Sequence, residues 1–183
     1  MIYLFLAEGF EEVEALTPVD MLRRVGKTVV TVGVTGKTVV GSHGIKVEAD
    51  KFIDEIKIGE DVEGTILPGG MPGTLNLKKS EKVQEFISFC TEKNLPTAAI
   101  CAAPSVLGEA GVLNGKHAVC YDGFEDKLIG AAVETGDVCR DGNIVTACGA
   151  AAALNFSFAL VEQYVGADTL KKLKGQLLCH RSI

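Results

Sequence analysis

Short apolar, β-branched runs alternate with longer stretches of helical period along this chain, and that alternation decides the fold class. Ile2 to Ala7 is continuously apolar, Thr28 to Val34 is rich in β-branched residues, and Gly64 to Leu67 and Thr97 to Cys101 repeat the pattern. Runs of this length and character suit strands covered on both faces. Between them, Glu11 to Val25 places Val13, Leu16, Val19, Leu22 and Val25 at i, i+3 spacing, one apolar helical stripe with Pro18 inside it, where a kink is expected. Ser80 is placed to cap a helix reaching about Lys93, with Val83, Phe86, Ile87 and Cys90 inward. Ala103 to Ala110, Ala150 to Val165 and residues 168–178 also read as helices. Gly36 to Val47 carries Gly41, Ser42 and Gly44 between strand-like pieces, a hairpin excursion, and 117–148 holds short strands and turns. The pattern predicts an α/β fold, doubly wound, with a mainly parallel sheet between helices. No repeat or linker interrupts it, so one domain is expected over residues 1–183.

A chain of 183 residues buries on the order of 70% of its unfolded surface, so it has no need of disulfides or a structural metal. Its six cysteines, Cys90, Cys101, Cys120, Cys139, Cys148 and Cys179, include no CxxC pair, which removes the zinc-ribbon and thioredoxin signatures. A net charge of −6 argues against nucleic acid or an anionic membrane as partner. The apolar N-terminus lacks a basic flank and passes into Glu8-Gly9-Phe10-Glu11-Glu12, so it reads as a first strand rather than a signal peptide. Asn155, Ser157 and Glu162 make the Ala150 to Val165 helix too polar to span a membrane. A cytoplasmic protein with reduced thiols is expected.

In open parallel sheets, ligands bind beyond the carboxyl ends of the strands. Three such ends carry unusual residues: the acidic cluster after strand one, Pro68-Gly69-Gly70, and Cys101-Ala102-Ala103-Pro104. Cys101 closes an apolar strand and opens a helix, a junction like a nucleophile elbow although GxSxG is absent. A helix N-terminus favours thiolate, so a depressed pKa is expected there; a buried, inert cysteine is the competing reading. Glu11 and Glu12 complement the dipole of the first helix, whereas Glu14 lies near its buried face. A carboxyl held against a thiolate keeps its proton and can relay it. Gly69 and Gly70 form either a tight turn or a backbone cradle for a substrate oxygen. Neither GxGxxG nor GxxxxGK[ST] occurs, so nucleotide binding has no support. His43, His117 and His180 read as surface or structural residues, and they assemble no Cys–His dyad from sequence.

Taken together these motifs resemble the ThiJ/PfpI superfamily, in the branch of the Parkinson disease protein deglycase, a glyoxalase III-like group. The resemblance covers nearly the whole chain and rests on Ala7-Glu8-Gly9-Phe10-Glu11-Glu12-Val13-Glu14, Pro18-Val19-Asp20 with Arg23-Arg24, Leu67-Pro68-Gly69-Gly70, Ala98 to Pro104 and Tyr121 to Leu128. It implies a flavodoxin-like three-layer sandwich and a homodimer. It implies that Cys101 is the reactive, readily oxidised cysteine and that Glu14 is its protonated partner, able to stabilise a sulfinate. Gly70 and Ala102 would present backbone N–H groups to a substrate oxygen. The pocket would take in Gly69, Tyr121, Cys148 and Gly149. The implied activity is that of a glyoxalase or deglycase on small α-oxoaldehydes such as methylglyoxal, or their protein adducts, with no metal or organic cofactor. The alternative it implies is a redox-sensing, chaperone-like stress protein in which Cys101 oxidises with little turnover. The chain departs from the family in three places. Tyr121 stands where a histidine is frequent. Gly149-Ala150-Ala151 replaces Gly-Pro-Gly behind Cys148, where Ser or Arg is frequent. Ala102 replaces the histidine of the peptidase branch, which argues against peptidase activity.

Overall fold

Every residue of the first strand, β1 (Ile2–Leu6), is buried, as a strand with no polar face must be at the middle of a sheet. The computed structural model describes residues 1–179; the expectation for His180 lies outside the described residues. After β1 come α1 (Glu12–Arg24), β2 (Val29–Gly33), β3 (Thr38–Val40), β4 (Lys46–Glu48) and β5 (Lys51–Phe52). β6 (Gly64–Leu67), α2 (Gly73–Lys79), α3 (Glu81–Glu92), β7 (Thr97–Ile100) and α4 (Pro104–Glu109) form the middle of the chain. The last part holds β8 (His117–Ala118), β9 (Ala132–Val133), β10 (Val138–Asp141), β11 (Ile144–Ala147), α5 (Ala153–Val165) and α6 (Ala167–Gln176). The main sheet has the order β10-β11-β7-β6-β1-β2-β5, and only β10 runs antiparallel to its neighbour. This is the expected α/β sandwich.

Side chains of β1 alternate between two cores. Ile2, Leu4 and Leu6 enter the cluster beneath α1, α5 and α6, and Tyr3 and Phe5 enter the cluster beneath α2, α3 and α4. On the second face Phe86 packs its ring 4.9 Å from Tyr3 and 5.3 Å from Phe5, centroid to centroid. Ser80 caps α3 by accepting the Val83 N–H at 3.4 Å, and Val83, Phe86, Ile87 and Cys90 are its buried residues. The anticipated hairpin is β3 with β4, paired from Thr38↔Glu48 to Val40↔Lys46.

The apolar stripe expected for the first helix is buried only in its second half, at Val19 and Leu22 with Val25 packed against the core. Val13 is 50% exposed and Leu16 38%, whereas Glu12, Glu14, Ala15, Pro18, Val19, Met21 and Leu22 are buried. The first turn of α1 sits over the hairpin and the strand ends, so hydrogen bonding there claims the inward positions for two carboxylates. The helix is continuous through Pro18; the ring leaves the Glu14 carbonyl without its i+4 donor, and packing carries the turn across. Ala150–Ala152 form a 3₁₀ turn, so the long apolar helix starts later than its sequence pattern suggests. Among the described residues no helix is long and apolar enough to cross a membrane.

Phe86 is fully buried between two strand aromatics. Phe86→Ala is expected to lower unfolding free energy by about 3–5 kcal/mol, read from urea midpoints at an unchanged denaturant slope.

Candidate active site

Sheet order reverses between β1 and β6: the chain leaves β1 outward to β2 and leaves β6 in the other direction to β7. Loops diverge at such a point and leave a crevice at the carboxyl ends of the strands. Here three loops fill its floor. The Glu11 N–H donates to the Gly69 carbonyl at 3.0 Å, and the Gly73 N–H donates to the Gly9 carbonyl at 3.3 Å, so two loops pack backbone against backbone. Gly70, at φ +89°, permits this: a Cβ there would lie 2.5 Å from the Glu11 nitrogen and the Gly9 oxygen. A Cβ on Gly69 would lie 2.7 Å from both the Cys101 Cβ and the Glu14 Oε2.

Cys101 follows β7 directly and adopts φ +65°, a left-handed backbone that a side-chain-bearing residue holds only under constraint. The constraint is visible on both sides: its N–H donates to the Ala147 carbonyl at 2.9 Å, and its carbonyl accepts the Tyr121 N–H at 2.9 Å. The turn is the elbow anticipated from sequence. Glu14, 1% exposed, reaches it from α1 and accepts the Gly69 N–H on Oε2 at 2.9 Å. Its own N–H is taken by the Glu11 side chain, which caps the helix at 2.7 Å.

Burial lifts the Glu14 carboxyl to about 7, against the lowering effect of hydrogen bonds from the Cys101 thiol and the Gly69 N–H. Burial also pushes the Cys101 thiol up to about 12; the Glu14 charge adds to the rise, and the Ala102 and Gly70 N–H groups oppose it. The expected depression of the thiol is therefore corrected. α4 has only six residues and starts at Pro104, so it brings little dipole to a sulfur surrounded by protein. The two groups behave as a coupled pair. With Glu14 ionised, the proton rests on sulfur and the carboxylate stands against it, ready to accept.

The other anticipated residues lie around this pair. Gly70 and Ala102 aim backbone N–H groups at the sulfur. β11 runs beside β7 with Ala147 opposite Ile100 as the last pair, so Cys148 and Cys101 each follow the end of one of two neighbouring strands. Tyr121 is 53% exposed and covers Gly149, where a Cβ would stand 3.4 Å from its ring. Both described histidines have carboxylate partners elsewhere, His117 with Glu134 and His43 with Glu12.

Glu12 is the residue that sequence reasoning undervalued. It is buried rather than decorating a helix end, and it ties the hairpin to α1. Its Oε1 accepts the His43 N–H at 2.8 Å and its Oε2 lies 2.8 Å from His43 Nδ1. Burial alone would raise the Glu12 carboxyl, but the His43 ring and backbone outweigh it and hold it at about 2. The Ser42-His43-Gly44 turn was the only available signal, because its partner lies 31 residues away. Among the described residues, ligand-type atoms of Glu11, Glu12 and His43 fall within 4.8 Å of one another, the one grouping that could approach a metal. They already satisfy each other as a capped ion pair.

Glu12 raises the pKa of His43 through the hydrogen bond and then through its charge. A raised histidine contributes stability fully below its unfolded value of about 6.5 and loses it as pH rises through the native value. His43→Ala is thus expected to lower the urea midpoint more at about pH 5.5 than at about pH 9. An equal loss at both would assign the effect to the packing of the neutral ring rather than to its charge, since the backbone N–H bond to Glu12 survives the substitution.

Known proteins share this architecture. The model of the DJ-1/PfpI family matches residues 1–163. The chain is 30% identical over 179 residues to the Parkinson disease protein 7 homolog of Danio rerio, covering 96% of this chain and 95% of that protein. It is 34% identical over 146 residues to a deglycase of Pyrococcus horikoshii, covering 78% of this chain and 87% of that one. It is 35% identical to the DJ-1 homolog B of Arabidopsis thaliana and spans 40% of that protein's length. Oxidised DJ-1 of Toxoplasma gondii superposes with a TM-score of 0.92 at 34% identity, covering 97% of each chain. With its fold, strand-end elbow and family model in agreement, the chain belongs to the DJ-1/PfpI family.

Proposed function

We propose that this protein is a cysteine-dependent glyoxalase or deglycase that acts on small α-oxoaldehydes such as methylglyoxal, or on their protein adducts. The observation that carries the reading is the buried Glu14 carboxyl set against Cys101 at a left-handed strand-end turn, both crowding Gly69, with burial lifting the carboxyl to about 7. The deglycase name of the Pyrococcus horikoshii relative supports it.

The Cys101 sulfur attacks the aldehyde carbon while Glu14 accepts the thiol proton. The C–S bond forms, the carbonyl electron pair moves to oxygen, and Glu14 passes the thiol proton to that oxygen, which gives a hemithioacetal beside the Gly70 and Ala102 N–H groups and returns Glu14 to its base form. Glu14 then removes the proton on that carbon and returns it to the neighbouring, former ketone carbon through an enediol, leaving a thioester. Water cleaves the thioester, releases a hydroxy acid and restores the thiol. Substrate carbon is oxidised at one position and reduced at the next, so no external oxidant, metal or organic cofactor enters the balance. Tyr121 and Cys148 wall the pocket. The homodimer is proposed on the outward stripe of α1, where Val13 and Leu16 leave apolar surface.

Lactate formed from methylglyoxal tests the reading. Cys101→Ser is expected to abolish it, and Glu14→Gln to slow it by about 10²–10⁴-fold. The base form of Glu14 exists above its pKa, so wild-type kcat/KM rises with pH through about 7 and the variant loses that limb. Cys101→Ser turning over at the wild-type rate would remove this mechanism. Leu16→Lys is expected to shift sedimentation toward monomer.

A further inference from the structure

One pocket residue is not used by the proposed chemistry. Cys148 follows β11 as Cys101 follows β7, and the two strands are parallel neighbours with Ala147 opposite Ile100 and the Cys101 N–H bonded to the Ala147 carbonyl. Continuing that register by one residue sets Cys148 against Cys101. Adjacent strands lie about 4.8 Å apart, inside the Cα–Cα range of about 4.4–6.8 Å that a disulfide spans. Both thiols are half-buried and free, and both pack against the same core cluster, beneath α1 and α5.

The remaining described cysteines are placed otherwise. Cys120 is buried in the opposite cluster with Ala103 and Val106, and Cys90 is buried there on the inner face of α3. Cys139 pairs with Thr146 on the edge strand β10, and Cys179 lies beyond α6.

We infer that Cys148 is a resolving cysteine, and that a hydroperoxide converts the Cys101–Cys148 pair to an intramolecular disulfide instead of carrying Cys101 on to sulfinate. The inference rests on the reactivity of Cys101 proposed above. In the first step the Cys101 sulfur attacks the peroxide oxygen, the O–O bond breaks, and sulfur is oxidised to sulfenic acid. The thiol proton passes to the leaving oxygen, which departs as water or an alcohol. In the second step the Cys148 sulfur attacks the sulfenic sulfur, the S–S bond forms, and the S–O bond breaks. The departing hydroxide takes the Cys148 proton and leaves as water. Two thiols and one hydroperoxide thus give one disulfide, water and an alcohol or a second water. A thiol held beside the sulfenic acid competes as an intramolecular reactant, with an effective concentration far above that of a second, dilute peroxide molecule.

The test is peptide mapping by mass spectrometry of the reduced full chain after limited hydrogen peroxide and alkylation. Wild type is expected to lose two hydrogens in a Cys101–Cys148 linked peptide that dithiothreitol reverses. Cys148→Ser is expected to trap the sulfenic acid as a dimedone adduct on Cys101 and, without dimedone, to gain two oxygens there. A dimedone adduct in Cys148→Ser together with two added oxygens and no linked peptide in wild type overturns the resolving role and leaves Cys101 reactive. No adduct on Cys101 in either protein overturns both readings. A linked peptide joining Cys101 to Cys120 reassigns the partner and overturns the inference.

Discussion

A carboxyl buried to 1% exposure must find partners or give up its charge, and the site is organised around how Glu14 meets that demand. It accepts the Gly69 N–H from one loop, shares a proton with Cys101 from another, and is itself carried on the first turn of α1. These contacts need the loops after β1, β6 and β7 to meet at backbone distance. Gly69 and Gly70 allow it because a side chain at either would collide with the cysteine, the carboxylate or the facing backbone. The three loops thereby close over Glu14 at the point where sheet order reverses.

The same burial determines the proton balance. A thiol near 12 beside a carboxyl near 7 is a resting pair that holds its proton on sulfur and keeps a base in contact with it. Both described histidines are engaged elsewhere, His43 with Glu12 and His117 with Glu134. His43 and Glu12 secure the hairpin over α1, and Glu11 caps that helix at the Glu14 N–H. Three of the carboxylates that follow the first strand, Glu11, Glu12 and Glu14, therefore perform separate tasks.

Much of this was readable in the residues. Strand β1 with no polar face, Ser80 ahead of a periodic helix and Gly41-Ser42-Gly44 at a hairpin are local signals, and each element formed where its own composition favours it. Cys101 was legible because a single cysteine at a strand-to-helix junction carries its own geometry. The inward face of α1 was not. Period alone favoured Val13 and Leu16, but Glu12 and Glu14 have partners from Gly69, Cys101 and His43, all distant in sequence, and those bonds outweigh an apolar preference in the first turn. The lowering of the thiol pKa expected from a helix N-terminus meets a related obstacle: the helix after Cys101 has only six residues, and burial by other elements pushes the thiol up instead.

By itself the sequence determined the order and kind of the elements, the parallel sheet and the identity of the thiol, because propensity, period and turn chemistry act over a few residues. Only the tertiary structure decided which carboxylate meets that thiol, how burial raises both groups, and that Cys148 and Cys101 follow the ends of two neighbouring strands. Those outcomes depend on strand order and on solvent exclusion by segments far apart in the chain, and no local pattern of residues encodes either.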